Sequence, residues 1–444
     1  MKIIQVLNHF LPQQTAGTEV YTWALSKELM KNGAEVKVLI PNYGKNQDES
    51  YVYDGITVHE FAEPSLVDRA IIMGFREADG LQNFKAYLEQ EKPDIVHFHE
   101  LAGSNGIGLP HVRAAKKQGA KIIMTFHLAK YTCQTGTLMY KGKLSCDGKI
   151  SNFKCSTCYL DKKGLKNSAI LLSGISNVLY RMNIDLTKLN HPIGTLLGTC
   201  NIVDRLERKL IELVNLCDNV VCITNWYQKV LLLNGINEDK ITYIGTGLPY
   251  SHPYSSLSNE KGHAIKLMFL GRISQVKGLH LLIEALELFS DSEFELSIYG
   301  SSDGTNYEHN LKEKTKGKSN IHWKGSLRQI QVNEEMQKHD LLCLCSTVCE
   351  MSPLVIQEAR ASGLPVLVSN VYGNKEQLEQ GATGLMFEMN DITSLQQKLF
   401  ELIKNPNLLK EMKSNIHHPR SFRNVAIEYL NLYEKICEKA RISN

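Results

Sequence analysis

Short apolar runs, each followed by a polar turn and then an amphipathic stretch, recur along the whole chain. In the first half, residues 2–7, 35–40, 94–98, 121–126 and 219–223 have the near-continuous apolar character of strands covered on both faces. Helical periodicity occupies 18–31 and 201–216. In the second half, 266–270, 293–299, 340–345 and 365–369 read as strands, with helices predicted at 279–289, 329–338 and 353–361. Strand–helix alternation, twice over, predicts an α/β protein built of two doubly wound, Rossmann-like domains. The stretch 247–262, rich in Ser, Pro, Gly and His, marks the boundary, giving domains of 1–246 and 247–421. A last helix, 422–441, carries an apolar face of Ile427, Leu430, Leu432, Tyr433 and Ile436.

Length agrees with this division, because 444 residues exceed one ordinary core and fit two domains of roughly 200 each. An apolar content of 43% with 22% charged residues is that of a globular protein, not a disordered or fibrous one. Met1 leads straight into a strand with no basic and apolar leader, and no apolar run approaches the ~20 residues of a membrane span. The expected location is cytoplasmic. There the eleven cysteines stay mostly reduced, and Cys222, Cys343 and Cys345, in apolar runs, read as core.

The net charge of +3 hides an uneven distribution. Residues 116–188 hold thirteen Lys/Arg against three acids, so the rest of the chain is acidic. Such a block implies an anionic partner or surface. Within it, residues 168–180 are apolar and flanked by Lys162, Lys163, Lys166 and Arg181. Two readings stay open for this segment: contact with the anionic inner face of a membrane, or a helix completing the first domain's core. Nucleic acid is not an expected partner.

The chemistry concentrates in two stretches. Gly271-Arg-Ile-Ser-Gln-Val-Lys-Gly278 follows a predicted strand, and Glu350-Met-Ser-Pro-Leu-Val-Ile-Gln-Glu358 spans a predicted helix start. Ser352 suits an N-cap and Pro353 the first helical position, which leaves Glu350 on the preceding loop and Glu358 about two turns in. Free N–H groups and the positive dipole end at a helix start suit a phosphate. Arg272 and Lys277 can neutralise the same phosphates, and carboxylates accept hydrogen bonds from sugar hydroxyls. Either motif alone is common on solvated helices; together, and in this order, they describe a nucleotide-sugar site.

That pair of motifs resembles the retaining glycosyltransferases of family 4. The resemblance implies the GT-B fold, with two Rossmann-like domains facing across a cleft and the terminal helix returning to the first domain. It places Arg272 and Lys277 on the donor diphosphate, Glu350 on the transferred sugar and Glu358 on the ribose, with Ser352 and Leu354 in the donor-binding stretch. Members often have Pro-Phe-Gly after the first glutamate, where this chain has Met351-Ser352-Pro353. Gly17 resembles the family's glycine loop, although Ala16 stands where a second glycine is usual. Thr125-Phe-His127 resembles its Thr-x-His, which puts His127 on the transferred sugar. The resemblance spans the chain apart from about 130–200.

The implied activity moves a hexose-type sugar from a UDP- or GDP-sugar to a glycan or lipid-linked acceptor in cell-surface polysaccharide assembly. With no Asp-x-Asp present, cations and helix dipoles are expected at the leaving diphosphate in place of a divalent metal. A GT-B sugar-nucleotide epimerase and a non-catalytic glycan-binding protein are the alternatives. His97 and His99 share one strand face and are open to a metal pair or to packing. In the insertion, Cys133, Cys146, Cys155 and Cys158 include one C-x(2)-C and predict a structural zinc site, with a disulfide or unligated thiols as alternatives.

Overall fold

The computed structural model describes residues 1–64, 69–102, 106–189, 191–250, 264–302 and 304–442. The chain divides into two compact units. The first comprises Met1–Gly136, Asp147–Pro249 and Ser421–Asn444; the second comprises Thr137–Cys146 and Tyr250–Arg420. From 251 onward, the predicted boundary stretch lies outside the described residues.

The first unit holds an eight-stranded sheet. Its order is Ile241–Tyr243, Asn219–Cys222, Lys121–Phe126, Ile95–Phe98, Lys2–Val6, Glu35–Tyr43, Ile56–Glu63 and Glu49–Tyr53. All neighbours are parallel except the last pair, a hairpin whose strands carry polar residues on one face. The central strands are apolar almost throughout because helices cover both faces; Ile3, Ile4, Ile95, Val96, Ile122 and Ile123 are fully buried. The hairpin strands and Ile241–Tyr243 were not evident in the sequence.

The second unit holds a six-stranded parallel sheet. Its order is Ile321–Gly325, Phe294–Tyr299, Ile265–Leu270, Leu341–Leu344, Val366–Ser369 and Gly384–Phe387. One face packs against a core that includes Leu279, Leu282 and Leu399, the other against Met336, Ile356 and Ala359. The small hairpin Met139–Tyr140 with Leu144–Ser145, from the first half of the chain, also belongs to this unit.

Helix Phe422–Ile442 belongs to the first unit. Phe422 N–H donates to the Leu248 carbonyl (3.3 Å). The fully buried Tyr429 and Tyr433 anchor the helix beneath the sheet.

Helix Ala169–Arg181 inverts the usual amphipathic arrangement. Its small residues Ala169, Ser173 and Ser176 are buried, while Ile170, Leu171, Val178 and the following Met182 are each more than half exposed. Small side chains allow close approach to helix Thr199–Leu216, where the Ser176 hydroxyl accepts from the Cys200 N–H (3.0 Å). The core of the first unit therefore takes the small face and leaves the apolar one outside.

Candidate functional site

Both chemical motifs lie in the second unit, on loops that follow adjacent strands. The first loop leaves strand Ile265–Leu270, makes a single 3₁₀ turn at Gln275–Lys277 and enters helix Leu279–Leu286 through Gly278. Gly278 has φ of +70°, and a Cβ there would collide with the Cys345 carbonyl. The second loop leaves strand Leu341–Leu344 and reaches helix Leu354–Ala361. Thr347 N–H donates to the Val276 carbonyl (2.9 Å), lacing the two loops together.

This lacing brings Lys277 and Glu350 together. Lys277 Nζ lies 2.5 Å from Glu350 Oε1, which also accepts from the Ser346 hydroxyl (2.6 Å). Ser369 Oγ donates to the Ser346 carbonyl (2.7 Å), and Asn374 Nδ2 donates to the Ser369 carbonyl (3.2 Å). A Cβ at Gly373 would collide with the Glu350 carbonyl, so only glycine lets that turn back the loop. Cys349 N–H donates to the Thr137 carbonyl (3.1 Å) of the small hairpin segment, where Leu138 and Met139 are buried. The Glu350 backbone is thus braced by several neighbours. Arg272 is exposed and makes no ion pair among the described residues, and the Ser274 hydroxyl between the two cations is buried with no partner there.

Helix Leu354–Ala361 starts one residue later than predicted: Pro353, not Ser352, is the N-cap, and no side chain caps it. The N–H groups of Leu354 and Val355 therefore have no partner within the helix. Glu358 is nearly buried, and its Oε1 accepts from Gln329 Nε2 (2.5 Å). Desolvation raises its carboxyl pKa, and the Gln329 bond partly opposes that rise. Sequence reasoning missed Ser346 and Asn374, which are close in sequence to the groups they hold, and Ser369, Gly373 and Gln329, which lie more than twenty residues from theirs.

In the first unit, His127 ends strand Lys121–Phe126 and joins a buried hydrogen-bond network. His127 Nε2 lies 3.1 Å from His99 Nδ1, and His99 Nε2 lies 2.7 Å from Gln5 Oε1. His97 bridges the Tyr433 hydroxyl and Thr125 Oγ1, both at 2.7 Å. Burial pushes the pKa of all three histidines down, His127 to about 3, so the rings are neutral. With Gln5 Oε1 accepting, His99 carries its proton on Nε2 and accepts at Nδ1 from His127 Nε2–H. His127 Nδ1 then remains an acceptor. His97 and His99 are tied into side-chain bonding rather than placed as a metal pair.

Gly17 is the first residue of helix Gly17–Lys31, and a Cβ there would meet nothing within 4 Å. Nearby, Glu19 is buried. One carboxylate oxygen accepts from Gln14 Nε2 (2.7 Å), and the other has no partner among the described residues.

The zinc expectation is corrected. Among the described residues, no group of three or more His, Cys, Asp or Glu is placed to hold a metal. Cys155 and Cys158 lie one turn apart on helix Asn152–Lys162, not on a knuckle turn, and Cys133 and Cys146 fall in different units. Order there comes from packing. Cys158 and Leu160 are buried, as is Cys200 on helix Thr199–Leu216, so the segment has an apolar surface to pack.

Two sequence models match in chain order. "Glycosyltransferase Family 4" covers residues 15–144, and "Glycosyl transferases group 1" covers residues 256–418, which contain both motifs. The chain belongs to glycosyltransferase family 4.

An uncharacterized glycosyltransferase of Methanocaldococcus jannaschii is 21% identical, over 98% of each chain. The poly(ribitol-phosphate) alpha-N-acetylglucosaminyltransferase of Staphylococcus aureus is 25% identical, over 51% of this chain and 46% of that one. Among solved structures, the sucrose-phosphate synthase of Thermosynechococcus elongatus superposes with a TM-score of 0.65 at 14% identity, covering 98% of each chain. Anabaena HepE in complex with UDP-glucose superposes at 0.60 with 14% identity, covering 99% of each. These likenesses establish the GT-B fold. The family-4 glycosyltransferase is therefore a transferase, and among its described residues no helix is long and apolar enough to cross a membrane.

Proposed function

We propose that this glycosyltransferase is a retaining hexosyltransferase that uses a UDP- or GDP-sugar and builds a cell-surface glycan on a glycan or lipid-linked acceptor. The observation that carries the reading is the Lys277–Glu350 pair: the Lys277 loop also carries the exposed Arg272, which makes no ion pair among the described residues, and the Glu350 loop runs into a helix start with free N–H groups. Arg272, Lys277 and the N–H groups after Ser352, at Leu354 and Val355, would take the diphosphate, and the buried Ser274 hydroxyl offers it a further donor. Lys277 would turn from Glu350 to the phosphate, freeing the carboxylate for sugar hydroxyls. Glu358, steadied by Gln329, would hold the ribose. In the first unit, Gly17 leaves room for close backbone approach, and the His127 Nδ1 acceptor suits a sugar hydroxyl.

Leaving-group charge would be stabilised by cations and N–H dipoles, with the departing phosphate oxygen taking the acceptor's proton on the same face of the sugar. The relatives' names support the substrate class: one acts on poly(ribitol-phosphate), and another structure holds UDP-glucose.

Thermal-shift screening against UDP-, GDP- and ADP-sugars tests the donor, since a ligand at 100 times its Kd stabilises by about 2.7 kcal/mol. No shift with any of them would defeat the reading. The division of labour has a sharper signature. Glu358→Gln should weaken free UDP or GDP at least tenfold, while Glu350→Gln should leave it unchanged or tighter, because Lys277 is released. Equal losses in both variants, measured by calorimetry, would contradict these roles.

The membrane reading rests on helix Ala169–Arg181, whose exposed apolar face is flanked by exposed Lys162, Lys163, Lys166, Arg181 and Lys188. Replacing Leu171, Val178 and Met182 together with Ser should abolish co-sedimentation with vesicles containing anionic lipid. It should leave nucleotide binding intact. Vesicle binding that is absent in the wild type, or unaffected by the triple change, refutes it.

A further inference from the structure

A cavity of about 570 Å³ lies within the first unit, lined in part by residues just beyond strands Ile95–Phe98 and Lys121–Phe126. It is large enough for a small-molecule ligand and occupies the strand-end position where open α/β sheets bind theirs. One wall is apolar: Ile71, Met73 and Phe75 come from helix Arg69–Met73 and its exit, and Leu206, Leu210 and Leu213 from helix Thr199–Leu216.

Five cations also line it, Arg76, Arg113, Lys130, Arg205 and Lys209, against two carboxylates, Glu77 and Glu212. Four of the cations are already paired. Arg76 binds Asp79 (2.5 Å), Arg113 binds Glu212 (2.5 Å), Lys130 binds Glu100 (2.9 Å) and Arg205 binds Asp185 (2.9 Å). Lys209 makes no ion pair among the described residues. Its side chain is open to solvent yet stands in a concave wall, and that enclosure, with Arg205 nearby, lowers its pKa. Arg205, one helical turn before it, is stacked over Phe75 at 5.7 Å. Glu212 attracts the Lys209 ammonium but is itself bonded to Arg113, so among the described residues this accessible ammonium beside an apolar wall has no carboxylate of its own.

We propose that this cavity binds the phosphate end of a lipid-like molecule, the phosphate on Lys209 and Arg205 and the apolar chain along Phe75, Leu206 and Leu210. A phosphate suits two cations one helical turn apart, because its several oxygens can meet both while Arg205 keeps Asp185. A free phosphate would use only the cations, and an alcohol only the wall; the cavity offers both. The chemistry names the acceptor class for the transferase reading and rests on that reading for the word acceptor, but its binding can be measured without any transfer.

The probe is decyl phosphate below its micelle concentration, compared with decanol and with inorganic phosphate by calorimetry on the full chain. Decyl phosphate should saturate at one per chain and bind at least tenfold tighter than either comparator. Lys209→Met should lose at least tenfold for decyl phosphate, Lys209→Arg should keep it, and both should bind UDP like the wild type. If decanol or inorganic phosphate binds as tightly as decyl phosphate in the wild type, the proposal fails whatever the variants do. It fails equally if a UDP-binding Lys209→Met protein keeps full affinity for decyl phosphate. UDP failing to bind while decyl phosphate saturates would count against the transferase reading and leave this site standing.

Discussion

Lys277→Ala should lower kcat/KM by about 10²–10³-fold, the scale of losing one preorganised charge at a developing anion, while the protein stays folded. Stability should hardly change, because the Lys277–Glu350 pair is partly solvated on both sides and such pairs add little. The loss should fall on both nucleotide affinity and turnover, since the leaving diphosphate gains charge as the glycosidic bond breaks. Lys277→Arg should recover only part of it: the 3₁₀ turn at Gln275–Lys277 sets the backbone, and a planar guanidinium on a different stem would replace a compact ammonium placed on Glu350 Oε1. Steady-state kinetics with the donor found by thermal shift measures this. A folded Lys277→Ala protein with near-normal kcat/KM would remove Lys277 from the diphosphate.

The two motifs were legible in the sequence because their chemistry is local: a glycine turn, a cation after it, and an acid ahead of a helix start. The central strands were legible for a similar reason, as a strand covered on both faces must be mostly apolar, and the runs at 122–124 and 341–344 are apolar throughout. What braces the site was not legible. Ser369, itself held by Asn374, and Gly373 act on a loop some twenty residues earlier, and Thr137 reaches Cys349 across more than two hundred positions. Nothing in the local pattern of those residues records the partner.

The cysteines show the opposite failure, a local pattern with a misleading meaning. C-x(2)-C is a ligand pair when a turn folds it, but on helix Asn152–Lys162 it is only a one-turn spacing. The segment looked too polar to order itself because the surface that orders it, including Cys200, lies about forty residues on. The start of helix Leu354–Ala361 was off by one position because Pro353 serves as the cap with its extended ψ, which shifts the free N–H groups to Leu354 and Val355.

Gly278→Ala should cost roughly 2–4 kcal/mol, among the larger effects a single methyl group can have. Two penalties combine. The backbone at φ +70° is left-handed, which costs an L residue about 1–2 kcal/mol. The new Cβ would also collide with the Cys345 carbonyl, which is backbone at the end of a central strand and cannot swing aside as a flexible side chain could. Relief requires moving the 3₁₀ turn away from strand Leu341–Leu344. That movement breaks the Thr347–Val276 hydrogen bond and withdraws Lys277 from Glu350, so binding should suffer with stability. Denaturant unfolding should show the lower midpoint, and calorimetry at least a tenfold loss of UDP affinity.

Gly271→Ala is the control. Its Cβ would meet nothing within 4 Å and its φ is not positive, so stability should hold and only ligand approach can be affected. If Gly278→Ala matches the wild type in both midpoint and UDP affinity, the two loops are not mechanically coupled through this glycine. The Lys277–Glu350 geometry would then need another support.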